Sequence, residues 1–194
     1  MHTTELGNIQ KLFTFHEGWD YKYVKKKGIP RIIETLIKDR IGREQGPGEW
    51  SLYIPGYHEY PPSGGFALPT ELYFEVPANN KLTFDFLGQS HKVKVVSEAM
   101  MHFLGECGLT DGFEVASLTV ISKSGKTIET QKNYFAMRFC ILHDDLIEFG
   151  EKTEVEGGSQ FKTSFSLYPN MRVKEGVMKN IFVLKKSPFD YYLA

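Results

Sequence analysis

The sequence predicts an α+β fold: a mostly antiparallel sheet with one or two helices packed on one face. Three observations predict it. Strand-like stretches follow one another in runs instead of alternating with helices. Only two stretches carry apolar residues at helical spacing. The chain also holds 15 Phe, 10 Tyr and 2 Trp, residue types that fit a pleated, half-buried surface. At 194 residues, one domain over 1–194 is expected. It comes with or without a small N-terminal lobe over 1–60, set off by the breaks at Gly46-Pro47-Gly48 and Pro61-Pro62-Ser63-Gly64-Gly65.

Taken in order, the short aromatic clusters at Leu12-Phe13-Thr14-Phe15 and Trp19 to Val24 read as strands. A first helix is expected next, because Ile29, Ile32, Ile33, Leu36, Ile37 and Ile41 fall at helical spacing. Pro30 suits its first turn, Gly42 its stop, and Glu34 with Lys38 an outer i,i+4 pair. Trp50 to Tyr60 reads as an aromatic, extended stretch. Strands are expected over Leu72 to Val76 and Leu82 to Leu87, with a turn at Pro77-Ala78-Asn79-Asn80. Lys92 to Val96 reads as a further strand. Ser97 then makes a good N-cap and Glu98 suits the positive end of a helix dipole. Ala99, Met100, Phe103, Leu104 and Cys107 form one apolar face, and Gly108 ends the second helix. Phe103 and Leu104 are expected to face the sheet. Strands follow over Phe113 to Ile121, Tyr134 to Ile141, Phe161 to Leu167 and Ile181 to Leu184.

Composition narrows the class. With 41% hydrophobic and 24% charged residues, the chain is an ordinary globular one and not a disordered one. A formal net charge of −1 gives no global basic footprint for nucleic acid. No apolar run approaches the roughly 20 residues that a membrane helix needs. The polar stretch from Met1 to Lys11 lacks the apolar centre of a secretory signal. A cytoplasmic protein is therefore expected. The two cysteines, Cys107 and Cys140, lie in apolar patterns and are expected to pack as small hydrophobes without bridging.

Few motifs carry chemistry. Ser124-Gly125-Lys126-Thr127 copies the end of a phosphate-binding loop, but Val120 stands where that loop needs glycine and no helix follows. A hairpin turn is the better reading. His102, Cys107, Cys140 and His143 are residue types that bind zinc. Yet five residues along a helix separate His102 and Cys107 by roughly 140°. Core cysteines and surface histidines are expected instead. Asp144 and Asp145 are adjacent, so in extended chain they point to opposite sides and make a poor acid–base pair. No local hydrolase motif is present. The sequence predicts no catalytic residues, no cofactor and no metal.

Two charge blocks and an aromatic cluster remain. Lys22, Lys25, Lys26, Lys27 and Arg31 form a basic stretch with few stacking platforms, which argues against nucleic acid. From Asp144 to Glu156 six acids (Asp144, Asp145, Glu148, Glu151, Glu154 and Glu156) face Lys152 alone. Such a run is a solvated loop or a surface that attracts a basic partner, and these six are the candidate partner-binding residues. Gly150, Gly157 and Gly158 suggest a loop. Trp50, Tyr53, Tyr57, His58 and Tyr60 fit either a core or a binding surface, and core packing is favoured.

A longer series of residues points to a family. It begins with Leu68-Pro69-Thr70-Glu71-Leu72-Tyr73-Phe74-Glu75-Val76, then Leu82-Thr83-Phe84-Asp85-Phe86 and Val95-Val96-Ser97-Glu98. It continues with Asn133-Tyr134-Phe135 to Phe139, Tyr168-Pro169-Asn170, Ile181-Phe182-Val183-Leu184 and Tyr191-Tyr192-Leu193. This series resembles the immunity protein 43 family of bacterial polymorphic toxin systems. Its valine–serine–glutamate helix start is also similar to that of the immunity protein 11 group. The resemblance spans Leu68 to Leu193 and implies a cytoplasmic antitoxin that neutralises a cognate toxin protein by binding it, with no catalytic residues. Neither nucleic acid nor membrane is expected as a partner, on the charge and apolar runs above. An enzyme with dispersed catalytic residues and a small-molecule-binding domain are the alternative readings.

Overall fold

The longest strand runs from Phe113 to Ser122, and a computed structural model sets it near the middle of a six-stranded sheet. The structure describes residues 13–15, 36–39, 48–77, 82–88, 93–156, 164–186 and 191–193. In chain order the elements are β1 (Phe13–Phe15), β2 (Leu36–Lys38), β3 (Glu71–Val76), β4 (Phe86–Gly88), β5 (Val93–Ser97), α1 (Glu98–Glu106), β6 (Phe113–Ser122) and β7 (Tyr134–Phe139). Then come β8 (Ile147–Glu148), β9 (Thr153–Glu156), β10 (Ser164–Leu167), β11 (Arg172–Val173), β12 (Ile181–Phe182) and β13 (Tyr191–Leu193). Short 3-10 turns occupy Glu49–Leu52, Gly64–Phe66 and Asp144–Leu146. This is an α+β fold with few helices, as expected.

The chain divides into two compact units, residues 17–141 and residues 1–16 with 142–194. In the first unit the sheet order is β2-β3-β6-β7-β5-β4. Every neighbouring pair is antiparallel except β3 with β6, which is parallel. Strand alternation sends Leu72, Phe74 and Val76 of β3, Ala116 and Val120 of β6, and Tyr134 and Ala136 of β7 into one core. Trp50, Leu68, Leu82 and Phe84 from the connecting segments close it.

The first helix is corrected where it can be followed. Leu36–Lys38 is a strand that pairs with β3, Ile37 opposite Phe74. Ile37 is buried in the core, while the Lys38 Nζ reaches Glu75 at 2.7 Å. A short run rich in β-branched residues satisfies a period of two as readily as one of 3.6, and the edge of the sheet decided it. The rest of that run, residues 29–35 and 40–42, lies outside the described residues. So do the stretches 19–24 and 22–31 and the expected turn at 78–80. Trp50 to Tyr60 is not extended throughout: its start is a 3-10 turn.

The second helix stands at its expected place. Ser97 caps it by accepting from the Met100 amide at 3.2 Å, and its hydroxyl donates to Asp85 at 2.5 Å. Gly108 follows the C-cap with φ of 85°, the left-handed conformation that glycine adopts without strain. Met100 and Leu104 are buried. Phe103 is not: it is 44% exposed, against expectation. Successive helical residues diverge by about 100°, so a helix that points Leu104 inward turns Phe103 outward.

In the second unit β1, β13 and β12 form an antiparallel sheet, Phe13 opposite Leu193 and Phe182 opposite Tyr192. Two further antiparallel pairs join β9 to β10 and β8 to β11. Ile147, Phe182 and Leu184 make a small core, packed around by Leu146, Phe149, Met171, Val173 and Val177.

Candidate functional site

The acidic stretch is more ordered than a loop. It crosses the 3-10 turn Asp144–Leu146, then β8, then β9. Its acids divide by what already engages them. The Asp144 carboxylate accepts the amides of Lys185 and Lys186 at 2.7 and 2.9 Å. Glu154 accepts from Ser166 at 3.0 Å and pairs with Lys152 at 2.6 Å. Those contacts hold the Glu154 carboxyl below the usual range. Glu148 sits opposite Arg172 across the β8–β11 pair, and Glu156 opposite Ser164. Asp145, Glu148 and Glu151 are exposed.

The other sequence candidates separate as well. Ser124-Gly125-Lys126 forms a turn closed by the Ser122 amide on the Lys126 carbonyl at 2.8 Å, with Gly125 at φ of 80°. No helix follows it, so its amides do not converge on a phosphate. Cys107 and Cys140 are both free thiols. His102 is exposed on α1, whereas His143 is buried, contrary to the expected surface position. Its Nδ1 accepts from the Val183 amide at 3.1 Å, and its ring meets Phe182 edge-on. Among the described residues no group of three His, Cys, Asp or Glu side chains could hold a metal ion. An open groove of about 560 Å³ runs between α1 and the sheet, lined by Glu98, Met101, His102, Glu106, Val115 and Phe135.

A different constellation dominates the first unit. Arg138 of β7 is fully buried, directly opposite Glu114 of β6. Its Nε and Nη2 donate to one Glu114 oxygen at 3.0 and 2.5 Å. Nη2 also donates to the Phe66 carbonyl at 2.7 Å, and Nη1 donates to the Trp50 carbonyl. The Tyr53 ring lies against the guanidinium, 4.7 Å from its centre. The other Glu114 oxygen accepts the Leu68 amide at 3.2 Å. The Cys140 thiol donates to Glu114 at 3.4 Å. Burial first, and then the Glu114 charge, push that thiol up to about 12, so it is not a nucleophile at neutral pH. Burial likewise pushes the Tyr53 phenol up to about 12.

This cluster holds the segment between Trp50 and Leu68 against the sheet. Within that segment the aromatic candidates split. Trp50 and Tyr53 are buried as expected, but Tyr57 is 78% exposed and Tyr60 is also exposed. His58 packs between Tyr53 and Phe66, with ring centres 5.6 and 4.4 Å away.

The family model of immunity protein 43 matches residues 22–193. The chain belongs to the immunity protein 43 family. That match begins well before Leu68, at residue 22. A comparison with curated proteins finds no match. An immunity protein 43 chain has an immunity role, and immunity protein families are generally not enzymes. No helix among the described residues is long and apolar enough to cross a membrane. What the sequence reading of this immunity protein 43 chain missed is the Arg138–Glu114 pair. A signal for it existed: Arg138 shares the core-facing alternation of Tyr134 and Ala136, where an unpaired cation is almost never buried.

Proposed function

We propose that this chain acts in the cytoplasm as an antitoxin that neutralises a cognate toxin domain by binding it directly. The family match over residues 22–193 carries this reading. Asp145, Glu148 and Glu151 support a basic partner, because their carboxylates are exposed where Asp144 and Glu154 are engaged internally. Exposed charge of one sign speeds the encounter with a partner of the other.

The test takes as candidate partner a purified toxin domain encoded by a gene neighbouring this one. Cells producing that domain should survive only when the chain is co-produced. Neutralising Asp145, Glu148 and Glu151 together should slow association about 10-fold or more at low salt, with folding unchanged. The difference should shrink as salt rises. An unchanged association rate at low ionic strength removes the acidic stretch from the interface. Absence of both protection and binding overturns the antitoxin reading itself.

A further inference from the structure

Helix α1 breaks two local preferences at neighbouring positions, both on the side of the groove. Gly105 stands inside the helix, where glycine loses more backbone entropy than alanine does. Its φ is not positive, so no left-handed turn requires glycine there. A methyl group added at Gly105 would meet no atom of the described residues within 4 Å, so no packing requires it either. Glu106 follows in the last turn, where the helix dipole disfavours an acid and no basic residue offsets it. Gly105 and Glu106 are exposed and both line the groove between α1 and the sheet. Neighbouring residues that break local rules with no gain inside the fold mark a site used from outside it.

The groove says what such a visitor must be like. Met101 of the helix, Val115 of β6 and Phe135 of β7 give it an apolar lining, each of them half-buried. Glu98 and Glu106 stand at opposite ends of the helix, about 12 Å apart along its axis by helical rise. The sheet carries the negative charge further. Phe135 sits opposite Ser117 of β6, and Ser117 opposite Glu71 of β3, so one row leads from the groove to an exposed carboxylate on the same face. The strand cations of that face are withdrawn. Lys94 of β5 is buried, and Lys38 of β2 is buried in its pair with Glu75 at 2.7 Å. Apolar ground among carboxylates fits a basic segment that carries apolar side chains. It does not fit a second copy of this chain, because a twofold pairing of α1 with itself sets carboxylate against carboxylate. With no side chain at Gly105, the backbone of a basic segment can come close to the helix.

We propose that the groove beside α1 docks a basic segment of the toxin domain, with Gly105 as the point of close approach and Glu106 as a charge partner. This rests on the antitoxin reading and adds to it a contact surface in the first unit. The experiment takes a purified toxin domain encoded by a gene neighbouring this one. Its binding to the full chain and to three variants is measured, together with the thermal unfolding of each. Gly105→Ala should raise the unfolding midpoint and weaken binding. Gly105→Leu should keep the midpoint at or above that of the parent chain and weaken binding at least about 30-fold, mainly through faster dissociation. Glu106→Lys should raise the midpoint and slow association, most strongly at low salt. A gain in stability joined to a loss of binding is an outcome that a merely structural role does not produce. A lower midpoint in Gly105→Ala shows that glycine serves the fold and overturns the proposal. Gly105→Leu and Glu106→Lys variants that bind as tightly as the parent chain overturn it while the antitoxin reading stands. A parent chain that sediments as a dimer, and a Gly105→Leu variant that sediments as a monomer, give the groove to a second copy and overturn it too. A parent chain that neither binds the toxin domain nor protects cells from it overturns both readings.

Discussion

Arg138 is the residue on which the first unit turns. A guanidinium with no solvent exposure must find partners for its donors, and it finds them in Glu114 and two carbonyls. Removing Arg138 leaves Glu114 charged with its side chain only 16% exposed. Arg138→Met should therefore cost about 3–5 kcal/mol of unfolding free energy in urea titrations. Adding Glu114→Leu should recover part of it, because the orphaned carboxylate is then gone as well. A loss under about 1 kcal/mol in the single variant would mean that Glu114 is solvated. The sequence contained Arg138 in plain view, in the apolar run from Tyr134 to Phe139. It could not name the partner. Glu114 lies 24 residues away, and only the β6–β7 register places the two face to face.

At the scale of elements, local signals were legible and pairing was not. Ser97, Glu98 and Gly108 announce α1 because capping chemistry lies within a few neighbouring residues. The alternation in β3, β6 and β7 was equally plain. The run from Ile29 to Ile41 misled because its apolar pattern suits helix or strand, and its β3 partner settled the matter at Leu36–Lys38. Phe103 was misplaced for a related reason. Five apolar positions cover a wider arc than one helix can press onto a sheet, and sequence does not give the rotation. The consequence is measurable. Leu104→Ala should cost about 2–5 kcal/mol, whereas Phe103→Ala should cost under about 1 kcal/mol. A comparable loss at both positions would show that Phe103 is covered.

For the molecule as a whole, buried acids of high pKa set an alkaline limit. Burial pushes Tyr53, Tyr134 and Cys140 up to about 12, from ordinary values of 10.0 for the phenols and 9.0 for the thiol. The folded chain thus keeps protons that the unfolded chain releases. Their contribution to stability is complete below the unfolded values and is lost as pH rises toward about 12. Chemical denaturation at a series of alkaline pH values should give a midpoint that falls steadily across that window. Phenolate absorbance from the buried tyrosines should appear together with unfolding. A flat midpoint up to pH 12 would contradict the burial of these three groups. The burial behind this limit was legible, since Tyr53 and Cys140 were expected to pack inside, but the Glu114 charge that adds to the rise at both was not.

The grip of Arg138 on the loop runs through backbone oxygens, at Trp50 and at Phe66. A carbonyl is the same whatever side chain its residue bears. The fastening is therefore indifferent to the letters written between those two points. Residues 51–65 can thus vary without loosening that fastening, provided that Tyr53, His58, Tyr60 and the turn glycine, Gly56, keep their places. In the antitoxin role proposed above, such a fastening would let a new specificity arise without a new fold.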